Sequence, residues 1–200
     1  MVLIVIDGLD ASGKSIQATN LARHFRSRGR SVYLRFHPSE DNFFGVRAKR
    51  FLYLRGKGAH FAAALFYMLD VVRSILIYSW RRYDYLIFVR YLMVTAYLPS
   101  PLHRITYHLF EALVPTSDLM FFLDVEPEEA SRRILETRER LEMFESLGEL
   151  RRTRIKALSL ASIGRWKIID ANRPIGDVER DLMKSLEADA GEEPIRDLRR

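Results

Sequence analysis

The stretch GLDASGKS, Gly8 to Ser15, sets Gly8 and Gly13 either side of four residues and follows the second with Lys14 and Ser15. That order matches G-x-x-x-x-G-K-[ST], and its chemistry is the gripping of a polyphosphate. The glycines let backbone N–H groups converge on phosphate oxygens with no Cβ in the way. A helix beginning near Lys14 would add the positive end of its dipole. Lys14 then reaches the β- and γ-phosphates, and the Ser15 hydroxyl is placed for Mg²⁺. Leu9, Asp10, Ala11, Ser12 and Ile16 complete the cradle, so the expected ligands are ATP as phosphoryl donor with Mg²⁺.

The elements needed to hold such a loop are legible around it. Val2 to Ile6 is a continuous apolar run of strand length, as in a strand covered on both faces. Lys14 to Arg28 reads as a helix with Ile16, Leu21, Ala22 and Phe25 on one face and Gly29 as its stop. Further strands are expected at Ser31 to Phe36, Tyr85 to Val89, Leu119 to Val125 and Lys167 to Asp170. Helices are expected from Phe43 to about Arg55, from Phe61 to Trp80 after a break at Gly56 to Gly58, and in EPEEASRRILETR and LGELRRTRIKALSLAS. Pro127 and the acids after it suit a first helical turn. Strands alternating with helices predict an α/β fold of the P-loop kinase type: a doubly wound, five-stranded parallel sheet with helices on both faces. Its ligands would bind beyond the carboxyl ends of the strands. The expected organisation is one domain over 1–189, a lid at about 137–150, and a polar tail over 190–200.

Composition narrows the function class. The chain has 200 residues, no cysteine and a net charge of +6. Disulfides and thiol chemistry are excluded. The arginines and lysines are spread along the chain rather than gathered in one tract, so nucleic acid is not the expected partner. Phe61 to Trp80 is long enough to span a membrane, but Asp70 and Arg73 sit near its middle, where each charge costs about 3 kcal/mol to insert. A buried helix is expected instead. The N-terminus shows no basic stretch before its apolar run, so a cytoplasmic location is expected. The histidines lack the spacing of a helical zinc pair. Asp124, at a strand end, suits either an outer acid near Mg²⁺ or a cap on the next turn. No guanine-reading Asn-Lys-x-Asp segment is present, and the short chain points to a small-molecule kinase.

Several stretches resemble thymidylate kinases: GLDASGKSIQATNLARHF, RYLMVTAYLP, PTSDLMFFLDVEPEEASRRI, LRRTRIKAL and WKIIDANRPIGDVERDL, together spanning most of the chain. The resemblance implies phosphoryl transfer from ATP to a nucleoside monophosphate, dTMP to dTDP. It implies that Asp10 positions the acceptor through a sugar hydroxyl, Phe66 stacks on the base and Arg90 clamps the acceptor phosphate. In that family either the P-loop or the lid supplies an arginine to the transferred group. With Ala11 in the loop, the lid residues Arg138 and Arg140 are the candidates, ahead of Arg152 and Arg154. A homodimer through the 61–80 helix is implied as well. The acceptor side departs from the family's pattern. Val89 precedes Arg90 where the family has an acid, Glu40 falls where it has an arginine near the acceptor phosphate, and Asp70 falls where it has the arginine that holds the base. Two acids there would repel a monophosphate but could act as general base for a neutral hydroxyl, with Arg90 and Arg47 still available to a phosphate. A nucleotide-binding regulator that keeps the loop without acceptor chemistry is the third possibility.

Overall fold

The computed structural model describes residues 1–54, 57–78, 82–137 and 145–192. Five parallel strands lie in the order β2-β3-β1-β4-β5. They are β1 (Val2–Gly8), β2 (Val32–Phe36), β3 (Tyr85–Val89), β4 (Met120–Asp124) and β5 (Trp166–Asp170). The helices are α1 (Lys14–Ser27), α2 (Phe43–Leu52), α3 (Lys57–Tyr78), α4 (Leu102–Leu113), α5 (Pro127–Thr137), α6 (Leu147–Ile163) and α7 (Ile175–Glu192). The doubly wound sheet expected from the alternation of strands and helices is therefore present.

The central strand shows why an apolar run reads as a doubly covered strand. Alternate side chains leave opposite faces of the pleat. Ile4 and Ile6 pack with Leu21, Val178 and Leu182 on one side of the sheet, and Val5 packs with Phe88, Tyr107 and Leu160 on the other. β1 pairs with β3 through Ile6 and Val89, and with β4 through Gly8 and Leu123. Chain order thus diverges on the two sides of β1, which opens a crevice above its carboxyl end.

Boundaries differ from the sequence reading in physically intelligible ways. α3 begins at Lys57, so it contains Gly58, which was read as part of a break. α4 was not anticipated. Its buried residues His103, Tyr107 and Phe110 fall at helical spacing, and the exposed Leu102, Ile105, Leu109 and Leu113 recur at helical spacing beside them, so the helical period was present in the sequence. α7 continues to Glu192, into the stretch read as a tail.

Phe61–Tyr78 is long and apolar enough to cross a membrane by length and composition. Its packing explains part of that composition, since 33% of the span is buried and Phe61, Leu65, Leu69 and Leu76 are exposed, so the helix expected to be buried is buried on one side only. Tyr67 and Val71 face the sheet, and Asp70, fully buried, is bonded to the loop before α2.

Candidate active site above the central strands

Gly8 ends β1 with φ 149°, and a Cβ there would lie 2.4 Å from the Leu123 carbonyl oxygen. Only glycine lets the chain turn away from β4 at that distance. Ala11 and Gly13 also take positive φ, at 58° and 91°. The Leu9 carbonyl accepts from the Ser12 N–H at 3.2 Å and from the Lys14 ammonium, which is 4% exposed. The loop therefore folds around the lysine, with Ser15 exposed on the first turn of α1. Ile16, read as part of the cradle, turns an exposed side chain outward and can contribute only its backbone.

Asp7, which the sequence reading passed over, ties this loop to the next strand. Its carboxylate accepts from the Gly8 N–H at 2.9 Å, the Tyr91 N–H at 2.7 Å and the Met93 N–H at 3.2 Å. Burial pushes its pKa up, while these N–H groups and Lys14 pull the other way. Its signal in the sequence was a lone acid ending an apolar strand.

Asp10 and Arg90, both predicted site residues, meet. The Arg90 guanidinium pairs with one Asp10 oxygen, and the Tyr97 hydroxyl donates to the other at 3.3 Å. Arg90 stands at φ 61°, a left-handed conformation that costs a non-glycine residue about 1–2 kcal/mol. Its N–H donates to the Ile6 carbonyl at 3.0 Å, so the turn out of β3 is anchored on β1. Together with Gly8 and Tyr97 these residues line an open cleft. Leu52, Ala63, Ala64, Tyr67 and Val94 contribute its apolar lining.

Other predicted residues lie elsewhere. The Phe66 ring stacks on Phe51 at 5.6 Å and meets Phe43 edge-on at 6.1 Å, so it cements α2 to α3. One residue further is about 100° around the helix, and it is Tyr67 that faces the cleft. Asp70 does not face the cleft either. Its carboxylate accepts from the Ser39 N–H at 2.7 Å, the Ser39 hydroxyl at 2.6 Å and the Asn42 amide at 2.7 Å. Asn42 in turn caps α2 by accepting from the Phe44 and Gly45 N–H groups. Glu40 is exposed and pairs with Lys49, and Asp41 is held far below the usual carboxylate range by the Arg35 fork. Arg47 lies over the Phe43 ring, 5.0 Å from its centre. None of Phe66, Asp70, Glu40 and Arg47 is among the cleft residues.

Arg138 and Arg140 fall outside the described residues. Of the second candidates, Arg152 pairs with Glu149, and Arg154 forks onto Asp124 at 2.8 and 2.9 Å and onto Glu126 at 2.7 and 2.8 Å. Asp124 is thereby the partner of Arg154. Arg133, unanticipated, donates to the carbonyls of Ala11 at 3.2 Å and Ala171 at 3.1 Å, bracing the P-loop against the turn after β5. Among the described residues no group of three His, Cys, Asp or Glu side chains converges as a metal cluster would. An exposed Ser15 hydroxyl fits the small protein share that Mg²⁺ takes when phosphates and water supply the other oxygens.

Comparison with known proteins agrees with this geometry. The thymidylate kinase family model matches residues 6–182. The probable thymidylate kinase of Pyrobaculum calidifontis is 32% identical over 191 residues, spanning 93% of this chain and 96% of that protein. That of Thermococcus kodakarensis is 30% identical over 207 residues, spanning 96% and 100%. The solved thymidylate kinase of Candida albicans superposes with a TM-score of 0.73 at 21% identity, over 96% of this chain and 93% of that one. That likeness establishes the fold. A family match running from β1 into α7, across both the P-loop and the Arg90 turn, places the chain in the thymidylate kinase family of nucleoside monophosphate phosphotransferases.

Proposed function

We infer that the chain transfers the γ-phosphoryl group of ATP to a nucleoside monophosphate, dTMP first among them, with Mg²⁺ present. The observation that supports this most is the meeting of Arg90 and Asp10 in a cleft that opens on the P-loop. Amides of Gly8 to Ser15 and the Lys14 ammonium hold the donor's phosphates. The Ser15 hydroxyl would hold Mg²⁺, which when bound would supply charge neutralisation to the phosphates. The Arg90 fork takes the acceptor phosphate, since a planar guanidinium matches two of its oxygens. Asp10 takes a sugar hydroxyl, and the Tyr67 ring, in the role first given to Phe66, lies against the base. Arg138 or Arg140 completes the charge neutralisation as the lid closes and excludes water. Transfer in line then depends on position and charge rather than on a protein nucleophile.

The acids that would favour a hydroxyl acceptor are engaged elsewhere, Glu40 with Lys49 on the surface and Asp70 under α2. This supports the monophosphate reading. ADP release measured against dTMP, dUMP, other monophosphates and thymidine tests it. Turnover of dTMP with none of thymidine is expected. Turnover of thymidine alone would reverse the conclusion, and ATP binding with no turnover of any acceptor would make the chain a regulator.

The enzyme works as a cytoplasmic homodimer in this reading, without membrane or nucleic-acid partners. Phe61, Leu65, Leu69 and Leu76 are exposed along one side of α3, apolar surface that a second copy would cover. Light scattering at micromolar concentration should give twice the mass of one chain. A mass equal to one chain ends the dimer proposal.

A further inference from the structure

His37, one residue beyond β2, is 3% exposed and lines no part of the cleft. Its backbone N–H still donates to the Val89 carbonyl at 3.1 Å, which fixes the main chain, and its ring meets Phe88 edge-on at 5.5 Å. Nδ1 lies 3.2 Å from the carbonyl oxygen of Arg90, and Nε2 lies 3.0 Å from the Ser74 hydroxyl. A carbonyl oxygen can only accept, which assigns the proton to Nδ1 and leaves Nε2 to accept from Ser74. Burial lowers the pKa of this histidine to about 4, so one ring proton is carried at neutral pH. Ser74, fully buried, accepts in turn from Arg35 Nε at 3.2 Å, and the Arg35 fork is held by Asp41 at 2.6 and 2.7 Å. The donors thus run in one direction, from Arg35 through Ser74 and His37 to the Arg90 carbonyl.

Arg90 is therefore pinned at both ends of its own peptide units. Its N–H is held by Ile6 and its carbonyl by His37, with the Tyr67 hydroxyl 3.5 Å from the same oxygen. The Tyr67 hydroxyl also donates to the His37 carbonyl at 3.0 Å. A residue at positive φ keeps that conformation only where its surroundings over-determine it. We propose that His37 is a positioning residue for the acceptor site: through the Arg90 carbonyl it holds the left-handed turn that aims the Arg90 guanidinium into the cleft. This rests on Arg90 as the acceptor clamp.

Two substitutions separate the idea from simple packing. His37→Phe keeps the ring and removes both nitrogens. His37→Asn loses the contact to Ser74 but leaves an amide donor near the position of Nδ1. His37→Phe is expected to lower kcat/KM for dTMP about 10- to 100-fold, the effect of leaving a buried carbonyl without its donor. The KM for ATP should stay unchanged, since the P-loop is held by other bonds, and His37→Asn should recover most of the loss. An unchanged dTMP constant in His37→Phe overturns the proposal. So does an equal rise in both KM values, or no recovery in a folded His37→Asn. If His37→Phe does not fold, Ser74→Ala should shift the dTMP constant in the same sense, again sparing ATP, and no shift there overturns it. Nitrogen NMR of the wild-type imidazole should show the proton on Nδ1, and a proton on Nε2 overturns the proposal whatever the activity. A wild-type protein that phosphorylates no monophosphate would instead remove the functional reading beneath it, and the NMR result would still decide whether His37 donates to Arg90.

Discussion

Lys14→Ala is expected to lower turnover about 10³-fold, the scale seen when a preorganised charge that faces developing negative charge is removed. The melting temperature should stay within about 4 °C of the parent. The structure gives the reason for the second half. The ammonium is 4% exposed and is held by the Leu9 carbonyl, with the Ser12 hydroxyl at 3.5 Å, so it is a buried charge attached to loop backbone rather than a support for the core. The core residues of α1, Ala18, Leu21 and Ala22, are untouched by the change. Gly8 and Gly13, not Lys14, set the backbone of the loop. ADP release with saturating dTMP measures the first quantity and calorimetric unfolding the second. Turnover within tenfold of wild type would remove the P-loop as the donor site.

What could be read from the sequence followed from how locally each feature is determined. The P-loop needs only its own eight residues and a strand and helix on either side, so Gly8, Gly13, Lys14 and Ser15 were visible before any tertiary contact was known. The strands were visible because both faces of the sheet are covered, which makes each an unbroken apolar run. The acceptor half is assembled from separate parts of the chain, and there the reading failed by small rotations. Phe66 and Tyr67 are adjacent and both aromatic, and only the seating of α3 on the sheet decides which of them faces the cleft. Asp70 looked like an acid in a binding site because nothing in α3 shows that Ser39 and Asn42 come round to meet it. Gly45 carried part of that information. A Cβ there would lie 2.0 Å from the Ser39 carbonyl oxygen, so the chain before α2 must press close. His37 and Ser74 were silent for the same reason, their partners being 53 and 37 positions away.

The acids on the acceptor side thus have structural work, and this sharpens what Arg90 must do. Asp41 and Asp70 organise the loop between β2 and α2, and Arg35 neutralises them from below. Among the described residues, Arg90 is the cationic side chain that lines the cleft. Arg90→Ala should lower kcat/KM for dTMP about 10²- to 10³-fold with little change in the KM for ATP. Arg90→Lys restores a positive charge without the planar fork and should recover only part of this, because a point charge cannot meet two phosphate oxygens at once. Removing Arg90 also takes the guanidinium pairing from Asp10, which is 4% exposed. Some loss of stability is therefore expected in Arg90→Ala and less in Arg90→Lys, and unfolding must be measured beside the kinetics. If Arg90→Ala bound dTMP as tightly as wild type, by calorimetry on a folded sample, the acceptor phosphate would have to be held by a group outside the cleft described here. The lid arginines would then be the first to test.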